Sequence, residues 1–307
     1  MRGFNIPSIA ALLFLLLATT TNATLLPSLK GLFAKHGPQV NASDVRFTQY
    51  QRPGPDDCES ILYHSASLQR LTGSETTARS PCPALNAIAN HGFIKRSGKN
   101  VNLPEIILGL FFGLGVSPEV SGVIGALGMA SSSKPLTLGF DLQDLSKHMF
   151  AIEHDCSFSR QDALIGDNNV FNQELWEVAL AKINGSAHVN PIEIGRAKSA
   201  RIQDALRRNP QSIYGPRAAA FGYLEHGLLL TALGSSIPGI SRLDYLRCFF
   251  EDERLPYHLG WRPLPEATNV ATALAVGIAS IAGDSHILTD AGRVIIGTPS
   301  VCLRIIV

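Results

Sequence analysis

The chain is short of charge, of basic runs and of paired cysteines, and each shortage removes a class of function. Only 17% of its 307 residues are charged, 26 Lys and Arg against 25 Asp and Glu, for a formal net charge of +1. No Lys/Arg block is present to neutralise a row of phosphates, which argues against nucleic acid as a partner. No internal repeat and no long Pro- or Ser-rich linker divides the chain. Its five cysteines include no Cys-x-x-Cys, so a dithiol redox motif is lacking. Few segments alternate as strands do.

What remains is an ordinary globular composition, 45% hydrophobic, able to bury roughly three quarters of its unfolded surface. The N-terminus has a signal peptide's three-part layout: Arg2, the apolar run Ile9 to Ala18, then small and polar residues ending at Ala23. Residues 1–23 are therefore expected to be removed, which would leave equal numbers of basic and acidic residues. The apolar run is short for a membrane anchor. A secretory route makes disulfides permissible and makes Asn41 and Asn184 candidate glycosylation sites.

Helical spacing dominates residues 24–307 and predicts one mainly α domain. Helices are expected over Asn169–Ile183, Arg196–Arg208, Arg217–Leu233 and Val270–Ala282. The apolar region Ile106–Ala130 contains Pro118 and Glu119, and reads as two buried helices meeting at Ser117-Pro118 rather than a membrane span. The tail Arg293–Val307 suggests a hairpin around Gly297.

Three places concentrate chemistry. In Ser80-Pro81-Cys82-Pro83-Ala84-Leu85-Asn86, Pro83 suits the first turn of a helix and leaves Cys82 at its N-terminus. There the dipole and unpaired amides favour a thiolate with a lowered pKa, a candidate metal or haem ligand or nucleophile. A disulfide or an inert thiol is equally compatible with a bare Cys-Pro. Glu153-His154-Asp155-Cys156-Ser157 gathers hard oxygen ligands suited to Mg²⁺ or Ca²⁺, or forms a solvated turn or cap. Glu225 shares a helical face with Phe221, Leu228 and Leu229. Its carboxylate either borders solvent or lines a cavity with a raised pKa suited to proton transfer.

The string around Cys82, continued by Asn86, Ala89, Asn90, His91 and Gly92, resembles the haem-binding segment of the fungal haem-thiolate peroxidases, the chloroperoxidase and short unspecific peroxygenase family. Glu-His-Asp-x-Ser resembles that family's second signature, and Phe249 to Pro256 with Leu259-Gly260-Trp261 its C-terminal one. The resemblance runs from about Arg79 to Trp261. It implies a mainly α, chloroperoxidase-like domain enclosing one haem b, with Cys82 as axial iron ligand. It further implies Mg²⁺ or a similar divalent cation on Glu153, the His154 backbone oxygen and Ser157. Glu225, 71 residues after His154, takes the family's place for the acid–base catalyst, with His154 holding it and Asp155 orienting the His154 ring. The implied activity is oxidation or oxygenation by H₂O₂ through a ferryl intermediate, with small organic molecules or halide as substrate. Phe111, Phe112, Phe221 and Leu228 are candidates to line the channel. A non-catalytic secreted haem- or metal-binding protein on the same scaffold is the alternative. The motifs imply no stable membrane insertion and leave the oligomeric state undetermined.

Two departures stand out. Cys58–Ala78 separates Pro53-Gly54-Pro55-Asp56 from Arg79, where family members pass almost directly, and reads as an insertion or misassigned sequence. The tail around Cys302 has no counterpart. With Cys82 set aside as a ligand, Cys58, Cys156, Cys248 and Cys302 allow three full pairings, of which Cys248 with Cys302 would secure the tail.

Overall fold

The computed structural model describes residues 44–52, 77–234 and 239–285. The leader, Asn41, nearly all of Cys58–Ala78 and the tail with Cys302 lie outside the described residues. Eight α-helices are the main elements of the described residues: α1 Pro83–Asn90, α2 Leu103–Leu114, α3 Pro118–Ser131, α4 Gln173–Leu180, α5 Pro191–Arg208, α6 Pro216–Ala232, α7 Leu243–Glu251 and α8 Val270–Ile281. The fold is mainly α, as expected. Among the described residues no helix is long and apolar enough to cross a membrane.

Local chemistry explains the helix bounds. Proline occupies the first turn of α1, α2, α3, α5 and α6, where its missing N–H costs no hydrogen bond. The start expected at Arg196 is in fact at Pro191. Asn190 and Glu193 form a capping box, the Glu193 N–H donating to Asn190 Oδ1 at 3.1 Å and the Asn190 N–H to Glu193 Oε2 at 2.9 Å. In α4 the reverse holds: Asn172 caps the Leu175 N–H at 3.2 Å, so the helix begins later than Asn169. The Ile106–Ala130 region is two helices, α2 ending at left-handed Gly115 and α3 starting after Ser117. Asn184-Gly185-Ser186 lies exposed shortly after α4.

Two short antiparallel clips, β1 (Val101–Asn102) with β2 (Gly139–Phe140) and β3 (His188–Val189) with β4 (Ser241–Arg242), lead into helix starts. Val189 and Val101 are completely buried in them. Cys82, Cys156 and Cys248 carry free thiols.

Of the stripe its sequence suggests, helix α6 buries Leu229 but leaves Phe221 and Leu228 half-buried. The face turned into the protein carries Ala219, Gly222, Tyr223, His226, Gly227 and Leu230. It packs on α8 through backbone contact: a Cβ on Gly227 would lie 1.8 Å from the Ala273 carbonyl oxygen, and one on Gly277 2.4 Å from that of Tyr223. Glycine at 227 and 277 is therefore what lets the two helices touch. That contact turns Glu225 and Leu228 the other way, toward a cavity. Gly227→Ala is expected to lower stability by about 1–3 kcal/mol through overpacking. This outweighs the roughly 1 kcal/mol that alanine gains over glycine inside a helix. Chemical denaturation measures it, and an unchanged or more stable variant would show that the two backbones are not in contact.

Candidate functional site

The cavity encloses about 1170 Å³ including its open mouth. Its walls come from distant parts of the chain: Pro81 to Ala84, Leu110 and Leu114 of α2, the loop from Ile152 to Gln161, one side of α6, and Phe249 and Phe250 of α7. Cys82, Glu153, His154, Ser157 and Glu225 all line it. The structure thus brings together five of the six expected site residues; Asp155 lies behind the wall.

Cys82 is the N-cap of α1, extended at φ −84° and ψ 109°. Burial pushes its thiol up to about 11, against the pull of the Leu85 and Ala84 amides. The expected depression is overturned: desolvation outweighs the helix terminus, and a bound cation is what would reverse the balance. An apolar pocket with one sulfur at its wall and amides behind it fits a thiolate-ligated metal group.

The motif residues after Cys82 anchor this loop. Asn86 donates from Nδ2 to the Ser80 carbonyl at 2.8 Å and to Glu253 Oε1 at 2.7 Å, and its Oδ1 accepts from the Ser80 N–H at 2.9 Å. Asn90 Nδ2 donates to the Glu253 carbonyl at 3.1 Å, and His91 Nε2 accepts from the Leu255 N–H at 3.1 Å. The C-terminal signature is therefore the clamp on the cysteine helix. Arg160, absent from the expected site, completes it. Its guanidinium pairs with Glu253 Oε1 and donates to the Pro81 carbonyl at 3.3 Å. Arg160 is 2% exposed, a burial that no charge count in the sequence reveals.

Glu225 faces His154, with Nε2 3.2 Å from Oε2. Its side chain is 52% accessible although protein surrounds it, because it opens into the cavity rather than to bulk solvent. Burial acts to raise its carboxyl, but the His154 imidazole, with Lys198 and Arg217 nearby, outweighs it and holds the group below its ordinary value. The raised pKa expected for a cavity carboxylate is not found, for that reason. His154 Nδ1 bonds the Asp155 carbonyl at 2.7 Å. A carbonyl only accepts, so Nδ1 donates this bond and Nε2 is the nitrogen turned to Glu225. Asp155 thus meets the ring through its main-chain carbonyl rather than its carboxylate. That carboxylate accepts from the Ile213 N–H at 2.9 Å, and burial with the Asp162 charge raises it to about 6.

The loop carrying these groups is held from several sides. Arg217 donates to the Glu153 and Ala151 carbonyls at 2.8 and 2.6 Å, and Lys198 Nζ to the Cys156 carbonyl at 2.9 Å. Lys198 reaches there because Gly222 leaves room; a Cβ would lie 3.0 Å from its Cε. Glu153 accepts from Asn168 Nδ2 at 3.2 Å and from the Met149 N–H at 2.5 Å. Glu153, the His154 carbonyl and Ser157 offer an all-oxygen donor set of the kind hard cations take.

The expected channel residues need correction. Leu228 lines the cavity, but Phe111, Phe112 and Phe221 do not. Leu110 and Leu114, one turn apart on α2, face the cavity and so rotate Phe111 into the core, where Phe112 meets it edge-on at 5.5 Å. Phe221 instead lies under the Arg217 guanidinium at 5.0 Å.

Residues 48–266, more than two thirds of the chain, match the sequence model described as peroxidase, family 2. The chain belongs to that family. It is 26% identical over 242 residues to a chloroperoxidase of Leptoxyphium fumago, a match covering 72% of this chain and 64% of the relative. It is 26% identical over 232 residues to an aromatic peroxygenase of Coprinellus radians, covering 65% and 87%. With an aromatic peroxygenase of Cyclocybe aegerita it shares 27% over 210 residues, covering 62% and 56%. The chain thus spans between about half and two thirds of the length of the first and third of these relatives. In this family member, Glu253→Ala should cost about 3–5 kcal/mol, since Arg160 is left as an unpaired buried charge. Denaturant unfolding reads this; a loss under about 1 kcal/mol would refute the clamp.

Proposed function

We propose that the chain is a secreted, H₂O₂-dependent haem-thiolate peroxidase or peroxygenase of the short class. It would carry one haem b on Cys82 and one Mg²⁺ or similar divalent cation on Glu153, the His154 carbonyl oxygen and Ser157. Supporting this reading is one observation: a cysteine at a helix N-terminus and a histidine-held glutamate line the same apolar cavity. Secretion rests on the leader layout of residues 1–23. The relatives' names point to aromatic compounds and halide as the substrate classes.

Haem, when bound, supplies the two electrons that cleave the peroxide O–O bond, which thiolate donation favours. The protein supplies position and proton transfer. Glu225 Oε2 is held by His154, leaving Oε1 to accept the proton of one peroxide oxygen and return it to the other, which leaves as water. The His154 contact keeps the carboxylate oriented, and its lowered pKa keeps it anionic between turnovers. Leu110, Leu114, Phe158 and Leu229 form the apolar surface on which an organic substrate would rest.

The spectrum tests the cofactor. Purified chain is expected to show a Soret band whose reduced CO complex is red-shifted as for a thiolate ligand, and Cys82→Ala to lose that shift. Absence of the shift in the wild type would reject the haem-thiolate reading and leave the non-catalytic scaffold.

The glutamate gives a second prediction. Because its pKa is depressed, the basic form is present above the ordinary carboxylate value near about 4.3 and is lost only as pH falls below it. Peroxide consumption should therefore stay flat into mild acid and fall only once the pH is taken below the ordinary carboxylate range. Glu225→Gln should keep the haem spectrum, lose about 10²–10⁴-fold in rate and lack this acid limb. Full activity in that variant would reject the assignment.

A further inference from the structure

Three donor atoms converge behind the cavity wall in a grouping that the sequence did not suggest, one of them on Glu153. His148 Nδ1, Glu153 Oε2 and Asp155 Oδ1 all fall within 4.8 Å of one another, and neither His148 nor Asp155 lines the cavity. Nδ1 stands 3.5 Å from Glu153 Oε2 and 3.6 Å from Asp155 Oδ1, too far for N–H···O bonds. Asp155 is fully buried, yet its Oδ1 has no hydrogen-bond partner, and buried His148 Nδ1 has none either. Two orphaned polar atoms facing each other across such a gap are costly unless something joins them.

Charge points the same way. Glu153, Asp155 and Asp162 are three buried carboxylates within ten residues. Asp162 is bonded to the Cys156 N–H and to Asn209 Nδ2. The neighbouring cations are committed elsewhere: Lys198 to the Cys156 carbonyl, Arg217 to the Glu153 and Ala151 carbonyls, Arg201 to the Ser157 carbonyl and Asp204. None of them bonds any of the three carboxylates.

The spacing fits a bound ion. Metal bonds of about 2.0–2.2 Å to imidazole nitrogen and carboxylate oxygen place neighbouring ligands of a tetrahedral ion about 3.3–3.6 Å apart. The two measured gaps lie in or at the edge of that range. One imidazole with two carboxylates suits Zn²⁺ better than Mg²⁺ or Ca²⁺, which take oxygen alone.

We propose that His148, Glu153 and Asp155 form a Zn²⁺ site behind the cavity wall, with the fourth position left to water through the partly exposed side of His148. The site uses Glu153 Oε2, whereas Oε1 faces Asn168, which lines the cavity. It requires no haem and stands independently of the proposed activity. An ion there would close residues 148–155 into a ring and so fix the segment that carries His154.

Zinc binding to the untagged full chain tests this, after stripping with a chelator and by competition with a chromophoric one. One equivalent is expected to bind and to raise Tm. His148→Ala and His148→Gln should each weaken binding by about tenfold or more, the loss seen when even an outer partner of a metal ligand is removed. Ser157→Ala, which alters only the oxygen-donor cation set, should bind zinc as the wild type does. Wild-type affinity in both His148 variants, an equal loss in Ser157→Ala, or no stoichiometric zinc would each overturn the site. The haem spectrum, recorded separately, reports on the activity reading and is unaffected by any of these results.

Discussion

The position of the cysteine depends on one buried carboxylate. Glu253 receives Arg160 and Asn86, and through them holds the Pro81 and Ser80 carbonyls that fix the approach to Cys82. Its own carbonyl holds Asn90 at the far end of the same short helix. Without this clamp, α1 would be an eight-residue helix too short to persist by itself. Burial of Leu85 and Ile88, worth about 1.5–3 kcal/mol each, keeps it in the core. The polar network decides where along that core its first residue stops.

The opposite wall follows another rule. Helix α6 is placed by backbone contact with α8 rather than by interlocking side chains, and its cavity face is what the glycine face leaves over. Arg217 and Lys198 then carry the position of α6 and α5 to the Glu153–Cys156 carbonyls. Cys82 is consequently set by the Glu253 network, whereas His154 and Glu225 both take their positions from α6, through Arg217 and through the helix itself, so a fault in α6 moves that pair together.

Much of this was legible in the sequence, and the failures have physical causes. Helical spacing and the proline breaks pointed to seven of the eight helices, missing all of α7 and the five residues before Arg196, where Asn190-Pro191 starts the helix. The spacing from His154 to Glu225 identified a pair that is hydrogen bonded. Periodicity misread the α6 stripe, because a face of glycine and alanine scores as neither apolar nor polar yet is the one that packs closest. The pKa expectations for Cys82 and Glu225 erred because helix position and apolar neighbours are local, whereas burial of the thiol and the imidazole beside the carboxylate arise only in the folded chain. Arg160 gave no signal because nothing in its surroundings announces a buried arginine whose counter-ion is 93 residues away.

The glycine contact between α6 and α8 also limits how this cavity can change. A helix held backbone to backbone has no slack to rotate or slide, so larger side chains at Leu228 or Leu229 must grow into the cavity itself. Leu110 and Leu114 sit on α2, outside that contact, and Phe158 sits on a loop. Variation in the breadth of accepted molecules therefore has its freest ground on those two elements, while the wall that carries the carboxylate stays the fixed reference against which any new shape is measured.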